Sequence, residues 1–254
     1  MLSRLKEHQF LFTELVKRDF KKKYKRTYLG MVWSVLSPLL TLLIMRLVFT
    51  EFFGRSVEYY TTYLFCGNIV FSYFNDASNG GMGSLMNNSA IFSKINVPKY
   101  LFLFSRNVSS LINFGLTFAV FLLFCIIDGI TFSFAMLSLI IPIICLIIFN
   151  LGVGLILSAL FMFFRDVQYL WGVFTQLLMY MSAIFYDPAQ FGAYEKLFYI
   201  NPVYVYIKYF RIAVIDGAFP SWWLNLLALG YAIVFFSIGA LIYKKCNHKF
   251  LYYV

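Results

Sequence analysis

Charged side chains are scarce in this 254-residue chain, at 13% of residues, whereas apolar ones make up 61%. A soluble domain has roughly 25% charged and about 45–50% apolar residues, so a water-soluble fold could not cover this much apolar surface. Apolar stretches of roughly 20 residues recur along the chain, and each is long enough to cross a bilayer as a helix. The composition therefore excludes a soluble protein and predicts an all-α polytopic membrane protein.

Motifs for catalysis and nucleotide binding are missing. The chain has no phosphate-binding G-x-x-x-x-G-K-[ST], no H-E-x-x-H and no G-x-S-x-G, and its two histidines, His8 and His248, lie near the termini. Its four cysteines are scattered without metal or disulfide spacing. No acidic pair falls inside an apolar stretch, which disfavours a proton- or sodium-coupled carrier. We expect a non-enzyme that binds no metal or cofactor of its own.

Positive charge is concentrated in the first 28 residues, and the formal net charge of the whole chain is +10. A basic block ahead of a hydrophobic span fixes topology and attracts anionic lipids, which we prefer to nucleic-acid binding as its explanation. Apolar residues such as Leu5, Phe10, Leu15 and Phe20 alternate with the charges. Residues 1–28 are therefore predicted to form an amphipathic helix at the cytoplasmic membrane interface.

Hydropathy divides residues 29–254 into one membrane domain with about six spans. The Lys and Arg residues segregate to one side under this count, which predicts that both termini are cytoplasmic. The connector between the last two spans is too apolar for a solvated loop, so we expect half-buried helices there. The six spans are predicted at roughly 29–53, 59–75, 102–127, 134–164, 169–186 and 222–243.

Polar residues within the spans allow simple structural interpretations. Arg46 and Asp76 fall near predicted span ends, so their charges are expected to snorkel towards the headgroups. Small and amide side chains allow helices to approach closely and to bond across the interface. The residues assigned to such packing are Asn113, Asn150, Gln176, Gly152 and Gly154.

Two features leave functional alternatives open. The chain has 31 Phe and 19 Tyr residues, which suit either rings that stack on sugars or an interfacial belt with lipid-facing side chains. The loop at about residues 87–99 mixes apolar residues with Lys94 and Lys99. It is either a short helix that docks into a soluble partner or an interfacial turn.

Four stretches, in this order and spacing, carry a family resemblance. They are KKKYKRTYLGMVWSVLSPLL at 21–40, IFSKINVPKYLF at 91–102, FFRDVQYLWGVFTQLLMYMSAIFY at 163–186 and NPVYVYIKYFRIAVIDG at 201–217. Through them the chain resembles the membrane (permease) subunits of type 2 ABC transporters of the polysaccharide exporter class, which serve O-antigen, capsule or teichoic acid export. The resemblance covers nearly the whole chain.

The resemblance implies a homodimer in the bacterial inner membrane, paired with two copies of a separate cytoplasmic ABC ATPase that holds ATP and magnesium. The implied substrate is a lipid-linked, undecaprenyl-diphosphate-linked polysaccharide that is exported from the cytoplasmic side among the membrane lipids. Half-buried gate helices are implied between the fifth and sixth spans. ATP hydrolysis is therefore expected in a partner subunit.

The resemblance also implies roles for particular residues. A coupling loop at residues 88–99 would touch the ATPase, with Ile91, Phe92, Lys94, Val97, Pro98 and Lys99 as its contacts. Arg165 and Asp166 would cap a cytoplasmic turn. The aromatic residues expected to line the substrate channel are Trp33, Tyr60, Tyr63, Phe71, Phe174 and Tyr180.

Other functions are less consistent with the sequence. Small-molecule exporters of the same superfamily usually carry a large domain between the first two spans, whereas residues 51–58 form only a short loop. A membrane-bound glycosyltransferase or acyltransferase would need a positioned His, Asp or Glu constellation, and none is visible.

Overall fold

The computed structural model describes residues 8–24, 27–53 and 59–253. Parts of two predictions, the start of the amphipathic helix and residues 54–58 of the short loop, lie outside these ranges. All regular secondary structure within them is helical, which confirms the all-α prediction. The α-helices are α1 (Gln9–Tyr24), α2 (Trp33–Phe53), α3 (Tyr60–Gly83), α4 (Ser89–Phe92), α5 (Tyr100–Ile127), α6 (Ile140–Phe163), α7 (Val167–Met181), α8 (Pro202–Val214) and α9 (Trp222–Cys246).

Three stretches of the described chain are long and apolar enough to cross a membrane. They are α5, the segment Phe134–Phe163 that contains α6, and α9. The apolar part of α2 is shorter, and α7 has only 15 residues. Length and apolarity thus support a polytopic membrane protein, while the count of six spans and the orientation of the termini stay predictions.

Helices α3 and α6 form the centre of the bundle. Helix α6 packs against α3 on one side and α9 on the other, and α3 also contacts α5 and α8. Two glycine contacts bring these helices together, because a Cβ on Gly152 would lie 2.5 Å from the backbone of Phe235 and Phe236, and one on Gly154 would lie 3.6 Å from Gly81 Cα. The predicted packing role of both glycines is confirmed, whereas Gln176 is exposed on α7.

Helix α3 continues to Gly83, well beyond the predicted span end at Asn75. The added turns are rich in Gly, Ser and Asn, which lower the mean hydropathy of that stretch. Ala77, Ser78 and Gly81 are nevertheless buried, since small side chains suit close contact with α6. Tertiary packing therefore extends a helix that hydropathy alone ends too early.

The connector between α7 and α9 is more deeply buried than predicted. Its helix α8 begins at Pro202, with Asn201 Oδ1 accepting a hydrogen bond from the backbone N–H of Val203 at 3.0 Å. Most of α8 is buried, including Tyr206 and Phe210. The preceding 3₁₀ segment Pro188–Ile200 is largely exposed, so the expected half-buried gate helices stay a prediction.

One end of the bundle, here called the basic end, carries α1, the loop from Ser84 to Lys99, the turn before α7 and the C-terminal segment after α9. Leu15 of α1, Phe92 of the loop, Met162 at the end of α6 and Phe250 of the C-terminal segment share one buried cluster, which shows that α1, the loop, the end of α6 and the C-terminal segment meet. The opposite end carries the loops on either side of α8 and the start of α3.

Candidate functional site

A cavity of about 440 Å³ lies between α2, α3 and α5, and most of the residues that line it have polar side chains set among apolar surface. Such a lining is costly at membrane depth unless water or a polar ligand meets it. Ser110 Oγ is buried in this lining without a hydrogen-bond partner among the described residues. We call this cavity the hydroxyl groove; its polar and aromatic side chains include Trp33, Ser34, Ser37, Thr41, Asn68, Ser72, Tyr73, Asp76, Ser110, Asn113 and Thr117.

The groove arises from a regular pattern in three helices. Positions three or four residues apart lie on the same face of a helix. The contributing triplets are Ser34, Ser37 and Thr41 on α2, Asn68, Ser72 and Asp76 on α3, and Ser110, Asn113 and Thr117 on α5. Each apolar helix therefore carries one polar stripe, and the fold turns the three stripes towards one another. Of these nine residues, only Asn113 and Asp76 had been assigned a role from the sequence.

An ion pair marks the end of the groove nearest the basic end. Arg106 Nη2 lies 3.2 Å from Asp76 Oδ1, and both side chains are mostly buried. Gly80 gives Arg106 its space, because a Cβ there would collide with the Arg106 Nε. Asp76 therefore lies inside α3 and is neutralised by a partner on α5, so the prediction that it snorkels from a span end is wrong.

A second cavity of about 510 Å³ adjoins this ion pair and is basic. Arg18, Lys22 and Arg106 line it together with Asp19 and several amide side chains. Arg18 Nη2 donates to Asn88 Oδ1 at 2.8 Å and to the Asp19 carboxylate at 2.7 Å, which fixes α1 against the loop after α3. We call this cavity the cationic cleft. Its positive side chains could hold a phosphate group.

At the opposite end, a buried arginine joins α8 to the segment that follows α7. Arg211 is 5% exposed, and its Nη2 donates to the backbone carbonyls of Ala183 at 2.8 Å and Ile184 at 3.2 Å. Its guanidinium also lies 3.4 Å from the centroid of the Tyr63 ring. Arg211 was not among the residues predicted to have a role. The sequence feature that could have indicated its role is a charged residue within a connector rich in aromatic residues.

Two tyrosines strengthen the same attachment. Tyr60 Oη donates to the Phe185 carbonyl at 2.8 Å and Tyr63 Oη donates to the Tyr186 carbonyl at 2.7 Å. Ala183 has a left-handed φ of 50°, which a non-glycine residue adopts only when its surroundings hold it. The segment from Ala183 to Tyr186 is therefore held on α3 by its backbone. Helix α7 ends at Met181 for this reason, short of the predicted residue 186.

The expected channel-lining residues fall into two groups. Tyr60, Tyr63 and Phe71 are buried within the single chain, so their place along a channel stays a prediction. A sequence pattern cannot separate a ring that stacks on a sugar from one that packs on a neighbouring helix. The three residues that do reach the surface are Trp33, Phe174 and Tyr180, and Trp33 also lines the hydroxyl groove.

The expected coupling loop contains the short helix α4, followed by an extended stretch that leads into α5. Phe92 and Val97 are buried and anchor the loop, and their contact with a partner stays a prediction. Ile91, Pro98 and Lys99 are partly buried. The exposed tip consists of Ser93, Lys94, Ile95 and Asn96, with Ile95 55% exposed.

The turn before α7 exposes Arg165 and Asp166, as expected of a polar turn. Asp166 immediately precedes α7, but its carboxylate makes no capping hydrogen bond, so the predicted capping role is not seen. Trp171 attaches α7 to α3, with its Nε1 donating to Ser78 Oγ at 3.3 Å. Within residues 8–24, 27–53 and 59–253, no cluster of three or more His, Cys, Asp or Glu side chains suits a metal ion.

Comparison with known proteins gives a consistent result. The family model described as "ABC-2 type transporter" matches residues 11–215. The chain is 27% identical over 245 residues to the O-antigen export system permease protein RfbA of Klebsiella pneumoniae, covering 94% of this chain and 93% of that protein. It is 23% identical to the RfbA of Myxococcus xanthus, covering 73% and 72%. It is 24% identical to the polysialic acid transport protein KpsM of Escherichia coli, covering 92% of each.

Proposed function

The chain belongs to the ABC-2 type transporter family, as a permease subunit of the polysaccharide exporter type, and from that premise we propose what it carries and how. We propose that two copies form the pathway for a lipid-linked polysaccharide that moves from the cytoplasmic to the outer side of the bacterial inner membrane. The free energy comes from a separate cytoplasmic ATPase. The protein changes access to the pathway and makes or breaks no covalent bond.

The hydroxyl groove is the observation that carries this proposal. A glycan presents many hydroxyl groups and few charges, and the groove offers Ser, Thr and Asn side chains that both donate and accept hydrogen bonds. Trp33, at the groove and 36% exposed, adds a ring face on which a sugar can stack. An apolar drug in the groove would leave the polar side chains of the lining unpaired.

The cationic cleft supports a lipid-linked form of the glycan. A lipid carrier joins its glycan through phosphate, and Lys22 brings positive charge to the cleft beside Arg18 and Arg106, which are paired with Asp19 and Asp76. Because Arg106 lines the cleft and its partner Asp76 lines the groove, the two cavities adjoin. The phosphate would lie in the cleft while the first sugars reach the groove.

Helix α7 supports the proposal of a dimer. Only Thr175 is buried on α7, and Leu170, Val173 and Phe174 are exposed. Part of α2 is similarly exposed, including Leu47. Exposed apolar faces such as these are covered by lipid or by a second copy of the chain. We propose that α2 and α7 of two copies enclose the pathway, with Trp33, Phe174 and Tyr180 along it.

The coupling loop would pass the motion of the ATPase to the helices. ATP closes the two ATPase subunits on each other, the loop tip moves with them, and the paired permeases change access. The tip at Lys94 and Ile95 suits this contact because it is exposed and its flanks are anchored by Phe92 and Val97. The partner's groove would receive Ile95.

Co-purification with the ATPase of the same organism tests this proposal. The wild-type chain should form a stable complex that hydrolyses ATP. Ile95→Asp should weaken that complex and leave the chain folded, because Ile95 is exposed. Tyr252→Asp is the matched control, since Tyr252 is also exposed at the basic end but lies outside the loop tip. A chain that purifies alone and transfers glycosyl or acyl groups without ATP would overturn the proposal.

A further inference from the structure

The chain continues for a few residues after α9 and folds back onto the coupling loop. A 3₁₀ turn forms at Lys249–Tyr252, and within it the Phe250 ring is fully buried. That ring lies 6.1 Å from the Phe163 ring at the end of α6 and 5.2 Å from the Tyr243 ring on α9, measured between centroids. The C-terminal segment, residues 247–253, is therefore anchored at the basic end through the buried Phe250 ring, while its other side chains are exposed.

Lys99 connects this segment to the coupling loop. Its Nζ donates to the Asn247 carbonyl at 2.8 Å and lies 5.6 Å from the centroids of both the Phe92 and the Phe250 rings. An ammonium over aromatic faces is attracted by their electron density. Burial among these groups lowers the pKa of Lys99 below its ordinary value. The amine is thus held between a ring of the loop and a ring of the C-terminal segment.

Lys99 also stands where the loop becomes a helix. The backbone N–H of Phe102 donates to the Lys99 carbonyl at 3.3 Å in the first turn of α5. Motion of the loop is therefore transmitted to α5 through Lys99, the residue that joins the two. The helix within the loop, α4, has only four residues, which is too short for an isolated helix to be stable in water. The loop needs support from outside itself.

We propose that the C-terminal segment is the seat of the coupling loop, and that Lys99 and Phe250 are positioning residues for the contact with the ATPase. This inference rests on the proposed function for its consequence, but the seat itself is a property of the chain alone. With the segment in place, the loop moves as one body with the ends of α5, α6 and α9. Without the segment, motion of the ATPase displaces the loop tip but is not transmitted to α5.

Hydrogen exchange of the purified chain in detergent tests the seat without any partner. Phe250→Ala should speed amide exchange in residues 89–99 by about fivefold or more, because the loop opens more often. Tyr252→Ala is the matched control, being 84% exposed in the same segment, and should leave that exchange unchanged. Unchanged exchange in Phe250→Ala would overturn the proposal.

Lys99 gives a second test that removes no buried ring. Lys99→Met keeps most of the aliphatic stem but loses the charge and the donor to Asn247, so exchange in the loop should rise. Lys99→Arg keeps the charge and a donor and should restore the protection. Equal exchange in both variants would overturn the role of the amine.

The ratio of export to ATP hydrolysis in the complex with the ATPase tests whether the seat transmits motion. In Phe250→Ala the polysaccharide exported per ATP hydrolysed should fall at least about threefold, since hydrolysis continues while motion is lost. Faster loop exchange with an unchanged ratio would overturn the positioning role. A chain that never associates with an ATPase would refute the proposed function, and the exchange measurements would still decide whether the seat exists.

Discussion

The guanidinium of Arg211 lies 3.4 Å from the centre of the Tyr63 ring, and the same guanidinium binds the carbonyls of Ala183 and Ile184. Two helices and a backbone segment that are distant in sequence therefore meet at one buried cation. This arrangement positions the segment between α7 and α8, which the family resemblance associates with gating.

Replacing Arg211 should loosen that segment. Arg211→Lys keeps the charge, but a compact ammonium cannot stack flat on Tyr63 and reach both carbonyls. Because buried hydrogen bonds to a charged group contribute about 1.5–3 kcal/mol each, we expect a clear fall in the free energy of unfolding. Thermal unfolding in detergent measures it. Lys208→Met, at a partly exposed cation on the same helix, is the control, and equal losses in both variants would contradict the account.

A larger residue at Gly152 should separate α6 from α9. The Cβ of Gly152→Ala would lie 2.5 Å from the backbone of Phe235 and Phe236, which cannot move aside like a side-chain end. We expect a loss of about 1–3 kcal/mol in the free energy of unfolding. Gly230→Ala on α9 meets nothing within 4 Å and should be neutral or stabilising. A stable Gly152→Ala protein would mean that these helices pack elsewhere.

The ion pair between Asp76 and Arg106 should show energetic coupling. Asp76→Asn and Arg106→Gln each leave the other charge without its 3.2 Å partner, whereas the double variant removes both charges. The double variant should therefore be more stable than the sum of the two single losses predicts, with a coupling of about 0.5–3 kcal/mol. Chemical unfolding of the four proteins gives this value, and strict additivity would contradict the pairing.

Two apolar residues of the coupling loop, Ile95 and Val97, should behave differently. Val97→Asp places a charge at a buried position and should destabilise the chain itself, with or without a partner. Ile95→Asp places the same charge at the exposed tip and should affect only the complex. The melting temperature of the chain without its partner separates these cases, because only Val97→Asp should lower that temperature. A lower melting temperature in Ile95→Asp alone would show that Ile95, and not Val97, is the buried residue.

Much of the fold follows from hydropathy and small-residue patterns. The apolar lengths around α5, α6 and α9 mark those helices, and Gly152 and Gly154 mark their close contact. Window averages fail at α3, however, because small and polar residues extend it to Gly83 in a buried position.

The candidate site was less predictable than the fold. The stripes that form the hydroxyl groove, such as Ser34, Ser37 and Thr41, are visible in the sequence at helical spacing, but averaging over a span conceals them. Burial of Tyr60 and Tyr63 depends on carbonyls more than 120 residues away along the chain, so local pattern gave no sign of it.

Export of polysaccharide by cells that carry groove variants tests the central claim most directly. The gene is replaced by Ser37→Val, Ser72→Val or both, and glycan at the cell surface is compared with glycan retained inside. Valine replaces the serine hydroxyl with a methyl group and adds a second methyl group, a change in size that the control below shares, so loss of the groove hydroxyls should make surface glycan fall and intracellular glycan accumulate at unchanged protein levels. Ser237→Val, at an exposed position on α9, should export normally. Normal export by the double groove variant would contradict a glycan path along α2 and α3.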